Sequence, residues 1–419
     1  MKSPEFSTDR GTTPNWPDAL LQVDDAAGWL ALTDRVAEYA ASEPGEVSAV
    51  IERVERDTRD RGWHAAGFVA FEAGAAFGLA AHSLPRDLPL AWFGAYRAAR
   101  PLERLPVLDT GFSVGPIEPS VDRVAFERAI GRIHDHLKDG DTYQVNFTFP
   151  LAAAFAGDPR ALWLALVRAQ RCRYGAFVRC GGYVVCSASP ELFFARDGDR
   201  LTSRPMKGTA PRGRTAAEDD ANAQALSTSA KTRAENVMIV DMARNDLGRV
   251  ADVGSVQVAE LCAMEPYPTL LQLVSTVTAR SRASLAEIFA AMHPAASVTG
   301  ALKVRTMEII ASLESRPRGV YTGAIGLIRP DGRAHFNVGI RTAVVDEARA
   351  TLTFGVGAGI DTSTPFVFHK TTHRRVQSAA GDASKTTPDV MFSRAGLDRR
   401  PGGSDRRGPL RRPGDRPGT

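Results

Sequence analysis

The chain has 419 residues, 43% of them hydrophobic and 24% charged, which excludes a small stapled scaffold, wholesale disorder and a fibrous repeat. Its formal charge of +4 is an end effect: residues 361–419 hold 12 Lys or Arg against 6 Asp, leaving residues 1–360 at −2, so no basic body for nucleic acid is expected. Four cysteines (Cys172, Cys180, Cys186, Cys262) show neither CxxC spacing nor a Cys/His metal pattern, and Met1–Leu21 lacks the apolar run of a signal peptide, so a folded cytoplasmic protein with reduced thiols and no membrane span is expected.

In chain order, residues 1–20 read as a loose leader rich in Pro, Thr and Ser. Ala26–Ala41 and Glu46–Arg61 have helical composition, and the apolar runs Gly67–Glu72 and Leu90–Ala98 read as strands. Residues 99–117, with Pro101, Pro106 and Pro116, are the expected linker, which closes an N-terminal region of residues 21–117. From Val121 the period is helical: Val124 or Phe126, Ile130, Ile133 and Leu137 share a face, and Gly140 is a natural stop. Tyr143, Val145, Phe147 and Phe149 then alternate with Gln144, Asn146 and Thr148, so a strand with one apolar and one polar face is predicted. Hairpins are predicted around Gly181-Gly182 and Asp197-Gly198, helices over residues 215–250 and 282–315, and strands over Val320–Ile328, His335–Val345 and Thr351–Gly355. Consecutive hairpins with helices in blocks predict an antiparallel α+β architecture rather than a doubly wound one.

Three stretches carry residue types suited to chemistry. A two-residue turn at Asp197-Gly198 sets Glu191 opposite Arg204, with Lys207 three residues on, about 10 Å of strand at most. Pro205 ends the ladder there, which puts an acid and a lysine at the open end of one hairpin; a solvent-exposed ion pair is the plainer alternative. Glu235 shares spacing with Met238, Ile239 and Met242 in a helical segment, and a buried carboxylate must be protonated, paired or metal-bound; a helix-end network of Arg244 and Asp246 competes with that reading. The run Gly355-Val-Gly-Ala-Gly359 departs from a dinucleotide loop but can present N–H groups to a carboxylate, while His369 and His373 lack the context of a metal site.

Seven ordered segments resemble the chorismate-utilising enzymes and, within them, the component I enzymes of aminodeoxychorismate synthase. They are Gly140-Asp-Thr-Tyr-Gln-Val-Asn146, Ser189-Pro-Glu191, Arg204-Pro-Met-Lys-Gly-Thr209, Glu235-Asn-Val-Met-Ile-Val-Asp241 with Arg244-Asn-Asp246, Ser297-Val-Thr-Gly300, Tyr321-Thr-Gly323, and Ile340-Arg-Thr342 with the glycine run. The resemblance implies a fold of two opposed antiparallel β-sheets flanked by helices, a chorismate-binding catalytic domain over residues 118–360, and one Mg²⁺ beside one chorismate. It further implies Lys207 as nucleophile, Glu191 as general acid and Glu235 as a Mg²⁺ ligand, with Arg204 and burial expected to lower the Lys207 pKa. Tyr321 and Arg341 would grip the ring carboxylate with the N–H groups of Gly357 and Gly359, and Thr299 would line the pocket. A glutamine amidotransferase subunit would supply ammonia for 4-amino-4-deoxychorismate, a precursor of para-aminobenzoate and folate. Lys207 disfavours the anthranilate synthase component I alternative, whose resembling enzymes carry alanine at that step of the Pro-x-x-Gly-Thr segment.

The resemblance breaks at Ile360. The family pattern continues there with a helix carrying two glutamates and a lysine, one glutamate completing the Mg²⁺ site, whereas this chain reads Asp361-Thr-Ser-Thr-Pro-Phe and has no glutamate after Glu347. Of the 26 residues from Arg394 to Thr419, 18 are Arg, Gly or Pro, a composition that packs no core. The break reads as a change of frame near residue 360, with residues 361–419 a disordered tail and the chain a catalytically impaired chorismate-binding copy as the alternative outcome. Leu302 is a smaller departure, standing where relatives have proline.

Overall fold

The computed structural model describes residues 16–23, 28–85, 87–362 and 364. The chain opens with β1 (Ala19–Gln22), β2 (Trp29–Ala41), α1 (Val47–Arg61), β3 (His64–Val69) and β4 (Ala91–Leu102). The short strands β5 (Phe112–Val114) and β6 (Glu118–Pro119) precede α2 (Arg123–Lys138), β7 (Gln144–Gly157) and α3 (Pro159–Gln170). Next come β8 (Tyr174–Cys180), β9 (Tyr183–Ser189), β10 (Leu192–Asp197), β11 (Arg200–Arg204) and β12 (Met206–Pro211). Helices α4 (Ala216–Thr228) and α5 (Ala230–Gly248) lead to β13 (Gln257–Pro266), β14 (Leu270–Arg280), α6 (Leu285–Met292), β15 (Gly300–Ala301) and α7 (Lys303–Leu313). The described chain closes with β16 (Ala324–Ile328), β17 (Ala334–Val338), β18 (Thr342–Asp346) and β19 (Thr351–Ile360).

The strands pair antiparallel throughout the described residues, as predicted for this α+β fold. One arm of the ladder runs β13–β14–β11–β10–β17–β16–β3–β4–β2. The other runs β1–β8–β9–β18–β19–β7. The β1–β2 pair joins them, so the two layers are one ribbon folded back on itself. Phe68 and Trp92 of the first arm meet Ala176, Val178 and Val185 of the second in the core between the layers. Gly67 is required there, since a Cβ would lie 1.9 Å from the Trp92 carbonyl oxygen of the paired strand. Outside the layers, α1, α5 and α6 cover Phe194 and Phe336, α6 through its own Phe289, α3 covers β8 and β9 through Trp163 and Leu166, and α2 and α7 cover Val145 and Phe147. Local rules set the helix ends: Asp122 accepts from the Ala125 N–H to start α2, and Ser284 with Glu287 forms a capping box on α6.

Several expectations are corrected. The helix read over Ala26–Ala41 is strand β2, because Ala37, Tyr39 and Ala41 alternate with exposed Glu38 and Ala40 and the strand pairs with β4 along its length. Gly67–Glu72 is strand only to Val69; Phe71–Phe77 turns as a 3₁₀ helix. The expected leader is packed at its end, where Trp16 lies edge-on to Trp163 and β1 is buried, while residues 1–15 lie outside the described residues. The stretch read as linker holds the end of β4 and β5, which pairs with β7. His335–Val345 is two strands broken at Gly339-Ile340-Arg341, and β12, β13 and β14 have no counterpart in the sequence reading. Of the expected tail, residues 361–419, only Asp361, Thr362 and Thr364 are described; residues 363 and 365–419 lie outside the described residues.

Candidate active site

The second hairpin turns at Gly198-Asp199, with Asp197 opposite Arg200, and a bulge before Ala195 sets Leu192 rather than Glu191 opposite Arg204. Arg204 therefore reaches away from Glu191: it donates to Glu265 at 2.6 Å and to the Tyr174 hydroxyl at 3.3 Å. Glu191 sits in the connection before β10, 3% exposed. Its carbonyl accepts the Val338 N–H, and Ser189 Oγ donates to the Val338 carbonyl, so both sides of the bend are tied to β17. Burial pushes the Glu191 carboxyl up to about 7, against the opposing pulls of the Ser297 hydroxyl, the Met206 backbone, Lys207 and Arg341.

Lys207 lies on β12, after buried Pro205. The Asn236 amide of α5 donates to the Lys207 carbonyl at 3.1 Å and accepts from Ser275 Oγ at 2.6 Å, which locks β12 between α5 and β14. Across the cleft a Cβ on Gly359 would lie 2.8 Å from Lys207 Nζ and 3.0 Å from Gln144 Nε2, so the amine rests on the bare backbone of β19. Burial lowers the Lys207 pKa, and Glu235, Glu191 and Asp361 oppose it. The cation that also lowers it is Lys231; Arg204, expected in that role, is occupied by Glu265.

Glu235 is half-buried at the mouth of the cleft rather than on the core face of α5, which is formed by Asn236, Ile239, Val240, Ala243 and Leu247. Lys231 Nζ lies 3.5 Å from Glu235 Oε1 and 3.5 Å from Asp361 Oδ2. Burial and the adjoining Asp361 carboxyl raise the Glu235 pKa. Two neighbouring carboxylates suit Mg²⁺, which takes one or two carboxylates and completes its shell with water and substrate oxygens. Among the described residues no group of three or more His, Cys, Asp or Glu side chains is placed to hold a metal. The competing helix-end network is replaced by two separate pairs: Arg244 with Asp241 at 3.0 Å, and Asp246 with Lys303 at 2.6 Å.

The remaining candidates follow β19. Its residues from Gly355 to Ile360 pair with β7 on one edge, while the β18 pairing ends at Phe354, so the glycine run is strand and not loop. Tyr321 lies across Gly355, where a Cβ would come within 2.0 Å of its ring, and a Cβ on Gly357 would lie 2.6 Å from the Thr148 methyl, so this glycine leaves room for Thr148. Gly355 and Gly359 are four residues apart, about 13 Å of strand. Arg341 adopts φ 50 between β17 and β18, donates to Gln170 Oε1 at 3.1 Å, lies 5.8 Å from the Tyr267 ring and acts on Glu191 by its charge. Thr299 is fully buried, and its hydroxyl donates to the Ala295 and Ala296 carbonyls of its own turn at 3.3 Å. Lys207, Glu191, Arg341 and Gly359 thus come together, Glu235 joins them at the Asp361 end, and Tyr321 lies toward the other end of the strip.

Gln144 belongs to the Gly140–Asn146 segment, where the resemblance implies no role for it. It is 1% exposed and its Nε2 has no hydrogen-bond partner, although it lies beside Gly359 and Lys207. A buried donor left unpaired is costly, which marks it as waiting for an acceptor in the cleft. The alternation of residues 143–149 locates it on the polar face, but both faces of β7 are buried at Val145, Phe147, Gln144 and Thr148, and only the tertiary fold shows that.

A family model described as chorismate binding enzyme matches residues 17–363. The chain is 43% identical over 269 residues to an aminodeoxychorismate synthase of Streptomyces griseus, covering 64% of this chain and 36% of that protein. It is 39% identical over 285 residues to aminodeoxychorismate synthase component 1 of Klebsiella aerogenes (67% and 61%), and 41% identical over 242 residues to an anthranilate synthase component 1 of Haloarcula marismortui (57% and 50%). These matches span about a third to three-fifths of the relatives' lengths. In fold it is similar to anthranilate synthase component I from Streptococcus pneumoniae, with TM-score 0.69, 22% identity and coverage of 91% and 95%. The menaquinone-specific isochorismate synthase MenF from Escherichia coli gives TM-score 0.68, 15% identity and 89% coverage of both chains. Among the described residues no helix is long and apolar enough to cross a membrane.

Proposed function

The chain belongs to the chorismate-binding enzymes, and within that family we propose that it is an aminodeoxychorismate synthase, joining chorismate and ammonia to give 4-amino-4-deoxychorismate and water. The observation that carries this reading is the half-buried Lys207 amine resting on Gly359 within electrostatic reach of the Glu191 carboxyl. Each group is shifted toward its neutral form by burial, and the chemistry needs an uncharged amine and a protonated acid together.

Neutral Lys207 Nζ forms a bond to C2 of chorismate, the ring double bonds shift, and the C4–O bond breaks as Glu191 delivers its proton to the departing oxygen, which leaves as water. The ionised Glu191 takes the extra proton from the new secondary ammonium. Ammonia then bonds to C4, the double bonds shift back, and the C2–N bond breaks as Glu191 returns its proton to the departing nitrogen, so that Lys207 leaves as the neutral amine; the ionised Glu191 then takes one proton from the new C4 ammonium. Arg341, whose planar fork matches a carboxylate, binds a carboxylate of the substrate, while Tyr321 and the N–H groups of Gly357 and Gly359 line the strip along which the substrate lies. Gln144 Nε2 donates to a substrate oxygen beside Lys207. Thr299 shapes the wall through its turn. Glu235, with Asp361 beside it, would hold Mg²⁺, which supplies positive charge to a substrate carboxylate. A glutamine amidotransferase partner would deliver the ammonia.

The test is mass-spectrometric analysis of products from chorismate, Mg²⁺ and ammonium. Aminodeoxychorismate is the expected product. Anthranilate, or chorismate recovered unchanged at saturating ammonium, refutes the assignment.

A further inference from the structure

Glu314 and Arg318 form an ion pair with side chains only 3% and 2% exposed, at 2.7 Å. Buried ion pairs are weak contributors to stability, so a pair this deep needs a geometric reason. Every N–H of the Arg318 fork has a partner. Nε donates to Glu314 Oε2 at 2.9 Å, and Nη2 to Glu314 Oε1 at 2.7 Å and to the Asn146 carbonyl at 2.7 Å. Nη1 donates to the Val298 carbonyl at 2.8 Å and to Thr322 Oγ1 at 3.3 Å. Glu314 Oε1 in turn accepts from Thr148 N at 2.8 Å and Thr148 Oγ1 at 3.1 Å. Phe71 lies 4.2 Å beneath the guanidinium, and Glu72 accepts the N–H groups of Arg318 and Gly319 at 2.6 and 3.0 Å.

The partners of this pair lie on separate segments, each carrying a residue of the cleft. Asn146 and Thr148 are on β7 beyond Gln144, Val298 immediately precedes Thr299, and Thr322 follows Tyr321. The Asn146 N–H donates to the Thr299 carbonyl and its side chain to Val298 at 3.1 Å, so β7 and the turn also meet directly, while the Tyr321 turn reaches them through Arg318. A lysine offers three donors from one point and cannot span these segments; a planar fork with five donors does.

We propose that Arg318, held by Glu314, is a positioning residue that sets β7, the Thr299 turn and the Tyr321 turn in one relative placement and thereby shapes the substrate cleft. The substrate part of this inference rests on the chorismate reading above.

Two variants of the full chain test it: Arg318→Met with Glu314→Leu, which removes both charges and keeps apolar volume, and Arg318→Lys, which keeps the charge and loses the fork. Amide hydrogen exchange without ligand is read by mass spectrometry on peptides 144–150, 296–301 and 318–324, and chorismate binding with Mg²⁺ is measured by calorimetry. Both variants are expected to exchange at least about tenfold faster in all three peptides. The double variant is expected to fold but to melt lower than the parent, because the apolar pair leaves the Thr148 N–H and the Asn146 and Val298 carbonyls without the partners that Glu314 and Arg318 gave them. Chorismate binding is expected to weaken at least about tenfold. Faster exchange confined to 318–324, or parental chorismate binding in a variant that retains its fold, overturns the proposal. Should the double variant not fold, Arg318→Lys carries the same two readouts. If the parent chain itself fails to bind chorismate, the functional reading falls, and the exchange pattern still decides whether Arg318 ties the three segments together.

Discussion

Replacing Glu191 by glutamine tests the acid role and the energetics of its burial at once. In the unfolded chain the carboxyl ionises near 4.5, and in the folded protein burial holds it to about 7. The folded state therefore keeps a proton that the unfolded state releases, and the parent loses stability as pH rises through that window. Once ionised in both states, a carboxyl shifted this far costs about 3 kcal/mol, at 1.36 kcal/mol per pH unit. Glutamine has the same shape and never ionises, so its unfolding free energy should gain on the parent by about 3 kcal/mol between pH 4 and pH 8. Turnover should fall by about 10²–10⁴-fold, the usual value of a general acid, with chorismate binding little changed. The parent's kcat/KM should fall above pH 7 as the acid loses its proton, and that fall should be absent from the variant. Removing this carboxylate also removes one of the charges that hold the Lys207 pKa up, so the amine should titrate lower. Denaturant titrations across pH and product-based kinetics measure these effects. Parallel stability profiles for the two proteins, or undiminished turnover, refute the reasoning.

Lys207→Ala should abolish amination at C4 while leaving the fold intact; continued aminodeoxychorismate formation, followed by mass spectrometry, would eliminate the covalent step. Gly359→Ala places a methyl 2.8 Å from Lys207 Nζ and 3.0 Å from Gln144 Nε2, both ends of flexible side chains. Stability should change by under about 1 kcal/mol, whereas turnover should drop at least about tenfold, a split that thermal melts and initial rates resolve. Lys231 competes with a cation for Glu235 and Asp361, so Lys231→Met should tighten Mg²⁺ binding in calorimetry, and unchanged or weaker binding would exclude a metal at that pair.

How much of the fold is legible along the chain varies by region for physical reasons. Amphipathic helix α2 and the Gly181-Gly182 hairpin obey local rules, a 3.6-residue stripe and a two-residue turn, and are found as read. Strand β2 is Ala-rich and has intrinsic helical character, but its pairing with β4 along eleven registered positions outweighs propensity. The Asp197-Gly198 hairpin is legible but its register is not, because the bulge between Leu192 and Ala195 depends on β17 packing against the other edge of β10. Strands β13 and β14 show no alternation to read, β13 because it is largely exposed on both faces and β14 because it is buried on both.

The amino-acid sequence by itself determined the antiparallel α+β class and the motifs that mark a chorismate-binding enzyme, and it singled out Lys207, Glu191, Glu235 and Arg341 as candidates, because residue type and motif order survive without coordinates. Tertiary structure alone decided which groups share a pocket. Arg204 turned to Glu265, Lys231 took its place near Lys207, Gln144 came to rest beside Gly359, and Arg318 reached segments as far apart as Asn146 and Val298. Such long-range neighbours depend on how the strand ribbon folds over itself, and a pKa or a hydrogen bond is set by distance in space rather than by separation along the chain.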